Sequence, residues 1–286
     1  MRVALCLSGL AGGKNDIGRD SGGIEHSFPN FSKHILEKND VDVFVHSWST
    51  QIEDKILNLL EPKKYIIEKQ IKFTESKQVG GELRDEHEMG EEIMKGNNPG
   101  KVISGYNPPK NLKQQNYSQW YSRMKSVELK KEYEEENNFK YDFVMMCRFD
   151  VMFFTDIIFE NFDNKYFYTS KNTVEFVDGS KTKFNAALIY KESPDRVTFG
   201  ENDWKTKGMM DFWFFSNSEC MDKFTNLFNR LNEYNKNHNE SIGYLGGERC
   251  VVRHIQELGF DKCLKQVFHR VRDYELVRRW ALNSLY

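Results

Sequence analysis

The stretch Tyr141–Phe154, YDFVMMCRFDVMFF, decides how this chain reads. Its apolar run, Phe143–Cys147, is short and unbroken, the pattern of a strand buried on both faces. Arg148 and Asp150 then interrupt the run before it turns apolar again. Charges in such a place are costly unless they pair or bind something. Residues two apart on a strand share a face, so Arg148 and Asp150 project together while Phe149 packs on the other side. A cation and an anion side by side at the end of a buried strand suit a divalent metal and a diphosphate. The same pair also fits a purely structural ion pair.

Outward from this strand, the sequence alternates strand and helix. Val3–Leu7 reads as the first strand, ending in Ser8-Gly9, and a glycine-rich polar loop follows through Gly23. Phe28–Glu37 has the spacing of a helix. Val41–Val45 reads as a second strand ending in His46-Ser47-Trp48, and Ile52–Leu60 as a helix closed by Pro62. Tyr65–Ile71 is a third candidate strand. Ser118–Asn138 predicts a long helix, with Trp120, Met124 and Val127 on one face. Gln119, Ser122 and Ser126 fall on another face with Lys125 nearby, and Glu134–Glu136 reads as a solvated end. Such an alternation implies an α/β fold with a mainly parallel sheet and helices on both faces.

Residues 74–116 are rich in Glu, Lys, Gly, Asn and Pro and read as an insertion or long loop, not as a second domain. In the second half, Tyr166–Ser170 and Ala186–Tyr190 read as strands. Asp211–Ser216 is aromatic-rich, and Ser218–Tyr234 and Glu248–Leu258 read as helices, the latter stopping at Gly259. The chain is treated as a single domain over residues 1–286, with halves meeting near residue 154.

Composition narrows the function classes. Of the 286 residues, 39% are apolar and 14% aromatic, enough for a large core. A net charge of −2 and the lack of a basic tract argue against nucleic-acid binding as the main function. No apolar run approaches the roughly 20 residues of a membrane span. The five cysteines, Cys6, Cys147, Cys220, Cys250 and Cys263, show no metal-site spacing and read as reduced thiols of a cytoplasmic protein. Cys6 and Cys147, inside apolar strands, read as core.

In open α/β sheets, ligands bind beyond the carboxyl ends of the strands. Three such ends are legible: Ser8-Gly9, Ser47-Trp48 and Arg148–Asp150. Small residues at the first let backbone approach a ligand, and Trp48 offers a ring for stacking or for closing a pocket. Arg148 is placed to face phosphate oxygens and Asp150 to hold a metal. Asp211 is a candidate for catalysis or for local pairing, and His269, in FHRVR, for metal ligation or structure. Neither GxGxxG nor GxxxxGK[ST] is present, so a dinucleotide fingerprint and a Walker loop are excluded.

With these residues assembled, the chain resembles GT-A type nucleotide-sugar glycosyltransferases of the kind found in bacterial surface-glycan loci, phages and large DNA viruses. The resemblance lies in ALCLSG at Ala4–Gly9, DVDVFVHSW at Asp40–Trp48, the segment Gln119–Phe154, DFWFFSN at Asp211–Asn217 and GERCVVRHIQELGF at Gly247–Phe260. It implies a three-layer α/β/α sandwich, with residues 1–154 binding a UDP- or GDP-linked sugar and residues 155–286 binding a glycan or other hydroxyl acceptor. It further implies Mn²⁺ or Mg²⁺ held at an Asp-x-Asp motif, at whose position this chain has Arg148-Phe149-Asp150. His269 would complete the metal shell. Leu7, Ser8, Gly9, Ser47, Trp48, Gln119, Ser122, Lys125 and Arg148 would contact the donor; in an inverting enzyme Asp211 or Glu248 would serve as base, whereas a retaining enzyme would not need a base in that place. A sugar nucleotidyltransferase and a non-catalytic carbohydrate-binding protein are the rival expectations.

Overall fold

A computed structural model describes residues 1–14, 20–21, 23–73, 110–171, 209–236, 247–270 and 272–277. At its centre is a seven-stranded sheet. Its strands are β1 (Val3–Gly9), β4 (Val41–Ser47), β5 (Lys64–Ile67), β6 (Phe143–Arg148), β8 (Phe167–Ser170), β9 (Trp213–Ser216) and β10 (Leu264–Val267). Two-residue strands β2 (Gly13–Lys14) and β3 (Asp20–Ser21) pair with each other after β1. Beyond β6, β7 (Val151–Phe153) pairs antiparallel with β11 (Tyr274–Leu276).

The order across the main sheet is β10-β8-β9-β6-β1-β4-β5. β5, β4, β1 and β6 run parallel, as do β8 and β10, whereas β9 pairs antiparallel with both of its neighbours. The sheet is therefore mainly parallel, and its one reversed strand enters from the edge where the others end.

Period-two alternation divides the central strands between two apolar layers. Ala4 and Cys6 of β1, with Phe44, Val144, Met146 and Phe214, face one layer. Helix α3 (Lys110–Asn137) and helices α4 (Ser218–Thr225), α5 (Leu227–Lys236) and α6 (Gly247–Glu257) contribute Trp120, Val127, Phe224, Leu231 and Val251 to it. Val3, Leu5 and Leu7 face the opposite layer, where α1 (Ile24–His34) supplies Phe31 and α2 (Glu53–Leu60) supplies Ile56. This is the three-layer α/β/α arrangement expected from the alternation. Among the described residues, no helix is long and apolar enough to cross a membrane. Cys6 and Cys147 are fully buried, as expected for core residues, and burial pushes both thiols well above their usual pKa.

Three expectations need correction. α3 begins at Lys110, so 110–116 belong to a helix and not to the loop; 74–109 lie outside the described residues. The helix expected over Ser218–Tyr234 is two helices that break at Asn226. Glu134 is not solvated: it is buried, ion-paired to Lys130 at 3.1 Å and Lys140 at 2.8 Å, and accepts from Ser218 Oγ at 2.7 Å. Ser122 and Ser126 are fully buried too. The reason is common to these side chains: α3 lies between the sheet and α4 and α5, and so has little solvated face. The expected strand Ala186–Tyr190 lies outside the described residues.

Candidate active site

The carboxyl ends of β1, β4 and β6 lie side by side, with Ser8 opposite both His46 and Arg148 and Gly9 opposite Ser47. β1 and β4 are joined through α1, whereas β6 follows much later in the chain. The chain's direction of progress across the sheet therefore changes at β1, and a crevice is expected beyond such a switch point. Gly9 sits there with φ +103°, a conformation that disfavours any side chain, and open space lies where a Cβ would be. Backbone is thus exposed for close approach at the head of the loop.

A dense set of small polar side chains holds this loop. Gly9 N–H donates to Ser122 Oγ at 2.7 Å, and Ser47 Oγ donates to the Gly9 carbonyl at 3.0 Å. Ser49 Oγ donates to the Gly12 carbonyl at 2.7 Å and accepts from Ala11 N–H at 3.0 Å. Behind Ser122, its Oγ lies 2.7 Å from His46 Nδ1, and His46 Nε2 lies 3.1 Å from Glu68 Oε1. Burial lowers the His46 pKa, against the pull of Glu68. A neutral imidazole satisfies all three groups when Nε2–H donates to Glu68 and Nδ1 accepts from Ser122. The set looks like a nucleophile triad, but Ser122 is fully buried beneath Gly9 and cannot reach a substrate. It is a brace.

At the far side of the same edge, Arg148 clasps Asp150. Nε donates to Oδ1 at 2.8 Å and Nη2 to Oδ2 at 2.6 Å. β6 ends at Arg148, and the pair bridges the turn into β7, with Phe149 buried as expected. Burial opposes the charge of Arg148, but Asp150 outweighs it and raises the pKa. Because β9 is reversed, its amino end brings Asp211 and Phe212 to this edge, and Arg148 N–H donates to the Phe212 carbonyl at 3.2 Å.

Arg123 of α3, fully buried, donates to the Asp211 carbonyl, and its Nη1 lies 3.9 Å from Asp211 Oδ2. Burial draws the Arg123 pKa down to about 10, with Asp211 acting against it. Gln119 Nε2–H donates to Asp211 Oδ2 at 2.7 Å. The start of α6 comes close: a Cβ on Gly247 would lie 3.4 Å from Asp211 Oδ2 and 3.0 Å from Asn116 Oδ1, a tight approach that a side chain would press on.

The structure thus gathers Ser8, Gly9, Ser47, Ser122, Arg148, Asp150, Gln119 and Asp211 along one edge. Leu7 contributes no side chain there, because it is fully buried in the α1 layer. Trp48 is not an open platform: it is 5% exposed, stacked on Tyr121 at 5.6 Å and set edge-on to His46 at 4.7 Å. Lys125 pairs with Glu128 at 2.8 Å and lies over the Tyr121 ring. The Glu248 side chain lies outside the described residues. Sequence reasoning missed Arg123, His46, Ser49 and Glu68. One signal was available for Arg123, since it lies one turn after Gln119, a residue already singled out on that helix.

The expected metal site does not fit as arranged. Both Asp150 oxygens receive guanidinium N–H groups, and a metal would have to displace them. Among the described residues, no group of three or more His, Cys, Asp or Glu side chains is placed to hold a metal ion. The His269 backbone N–H donates to Asp273 Oδ2 at 2.7 Å, which fixes the segment that carries it.

No protein-family model matches this chain, and no curated protein matches it. Among solved structures it is similar to mouse xyloside xylosyltransferase 1 in the apo form, with a TM-score of 0.38 and 10% identity. That match covers 93% of this chain and 84% of the other. Similarity at that level carries no argument about activity, which must come from the site itself.

Proposed function

We propose that this chain is a glycosyltransferase that takes its sugar from a UDP- or GDP-linked donor and passes it to a hydroxyl of a glycan or other acceptor. The observation that carries this reading is the convergence of four remote segments on one sheet edge. They bring an open backbone at Gly9, a paired guanidinium and carboxylate at Arg148 and Asp150, and the carboxylate of Asp211. The motifs that resemble GT-A sequences fall on these same segments.

In the reaction, the bond from the anomeric carbon to the diphosphate oxygen breaks and one to the acceptor oxygen forms. Positive groups aimed at the leaving diphosphate stabilise its growing charge. Asp211, oriented by Gln119, takes the proton of the acceptor hydroxyl, as an inverting displacement requires. Donor binding belongs to the loop after β1, and acceptor binding to the segments around β9 and α6.

A panel of UDP- and GDP-linked sugars, assayed for nucleoside-diphosphate release with and without simple glycoside acceptors, tests the reading. Asp211→Asn should lower kcat by roughly 10²–10⁴-fold and leave donor KM nearly unchanged. No release from any donor, together with no binding of UDP or GDP, would refute it. The occupied Asp150 favours one second reading, a carbohydrate-binding protein without transfer, which predicts glycan binding and no release.

A further inference from the structure

Phe212 is flanked by two arginines from distant parts of the chain. The Arg148 Cζ lies 5.6 Å from its ring centroid and the Arg270 Cζ lies 5.2 Å from it. Each guanidinium is also fixed by a carboxylate. Arg148 is clasped by Asp150, and Arg270 donates through Nε and Nη2 to Glu275 Oε1 at 2.9 and 2.7 Å. Neither arginine is sealed from solvent, the side chains being 22% and 17% exposed, whereas the carboxylates of Asp150 and Glu275 are 7% and 5% exposed. The acids therefore lie deeper and the cations lie nearer the surface.

This arrangement is costly if it is only structural. Long side chains are ordered at the sheet edge, which costs side-chain entropy, and burying their carboxylates costs desolvation. It is well suited to an anion. The planar fork of a guanidinium matches phosphate oxygens. Two such groups on one ring carry a formal charge of +2, each held in place by its own carboxylate as a metal ion is by its ligands.

We propose that Arg148 and Arg270, set on Phe212, form a diphosphate clamp that does the work of a metal ion at this site. The proposal rests on the glycosyltransferase reading and extends it by naming the groups that meet the leaving group. Asp150, at the position of the second carboxylate of Asp-x-Asp, orients Arg148 and does not coordinate a cation. The clamp binds the nucleoside diphosphate, and its charge stabilises the diphosphate as the bond to the sugar breaks.

Calorimetric titration of the full chain with UDP and GDP, in EDTA and then in Mn²⁺, tests this directly. The clamp predicts affinities in EDTA within about threefold of those in Mn²⁺. It also predicts that Arg148→Gln and Arg270→Gln each weaken diphosphate binding by about tenfold or more while binding of the matching nucleoside is unchanged. Arg270→Lys, which keeps charge and stem, covers the case in which a glutamine variant does not fold, and should lose affinity because the fork is lost. Binding that needs Mn²⁺ overturns the clamp and leaves the glycosyltransferase reading standing. Metal-independent binding that is indifferent to both arginines also overturns the clamp. No binding of either diphosphate under any condition overturns both.

Discussion

Ser122→Ala tests whether the loop after β1 is held from below. Ser122 Oγ accepts from Gly9 N–H at 2.7 Å and lies 2.7 Å from His46 Nδ1. Removing it leaves a fully buried imidazole nitrogen without that partner, which costs about 1–3 kcal/mol. Gly9 N–H is only part-buried and can recruit water, so its loss adds about 0.5–1.5 kcal/mol. A total of about 2–4 kcal/mol is expected, read as a lower urea midpoint at unchanged slope. Ser126→Ala is the internal control. That serine is as buried, but its Oγ donates only to the carbonyl of Arg123 one turn back, at 2.9 Å, and its loss should cost less than about 1 kcal/mol. Because Gly9 is the exposed backbone of the proposed donor site, Ser122→Ala should also weaken UDP or GDP binding, and Ser126→Ala should not. A Ser122→Ala loss below about 0.5 kcal/mol, with diphosphate binding intact, would refute the brace.

His254 makes the fold acid-sensitive. It is 2% exposed, lies 2.8 Å from the Tyr234 hydroxyl, and burial pulls its pKa from 6.5 to about 4. The unfolded chain binds a proton below pH 6.5 that the folded chain refuses until about pH 4. Its contribution is therefore complete above pH 6.5 and declines as pH falls through that window, by about 2 kcal/mol at pH 5. Urea unfolding at pH 7.5 and pH 5 should show this loss, and His254→Gln should remove most of it. Glu134→Gln should cost about 1–3 kcal/mol by urea unfolding, because the fully buried Lys130 loses one of its two anionic partners; a cost near zero would show that Asp222, 2.6 Å from Lys130, suffices alone.

The parts of the fold legible in the sequence are those set by local pattern. β1, β4 and β6 are apolar runs ending in small or charged residues, and their parallel pairing follows from the helices between them. Arg148 and Asp150 do pair, but across the turn that follows β6 and not along one face of a strand, which the apolar pattern alone did not reveal. The reversal of β9 was not legible, because DFWFFSN reads the same in either direction and only its neighbours in space fix its sense. That reversal decides the site, since with β9 parallel Asp211 would lie at the opposite edge. The partner of Arg270 was hidden for a different reason. Arg270 and Arg148 are 122 residues apart in the chain, and the ring that gathers them, Phe212, belongs to a third segment.

Helix α3 shows where polarity misleads. Ser122, Ser126, Lys130 and Glu134 recur every four residues, so they form one stripe along it. A polar stripe normally marks the solvated side, yet all four are buried here. The oppositely charged i, i+4 pair is the part of this stripe that sets it apart from a solvated one, because Lys130 and Glu134 satisfy each other, while Ser122 and Ser126 bond to backbone and His46. At the site end of α3, Gln119 and Arg123 hold Asp211 while Ser122 holds Gly9. At the far end, Lys130 and Glu134 tie the helix to Ser218 at the start of α4, directly after β9. One helix therefore sets the spacing between the loop that would receive the donor and the carboxylate that would take the acceptor's proton. Rigid placement of that kind is what an in-line displacement needs, since a misplacement of about 1 Å can cost two orders of magnitude in rate. The buried charges of α3, costly for stability on their own, are the groups that anchor the far end of this helix and so bear on the distance between the two halves of the candidate site.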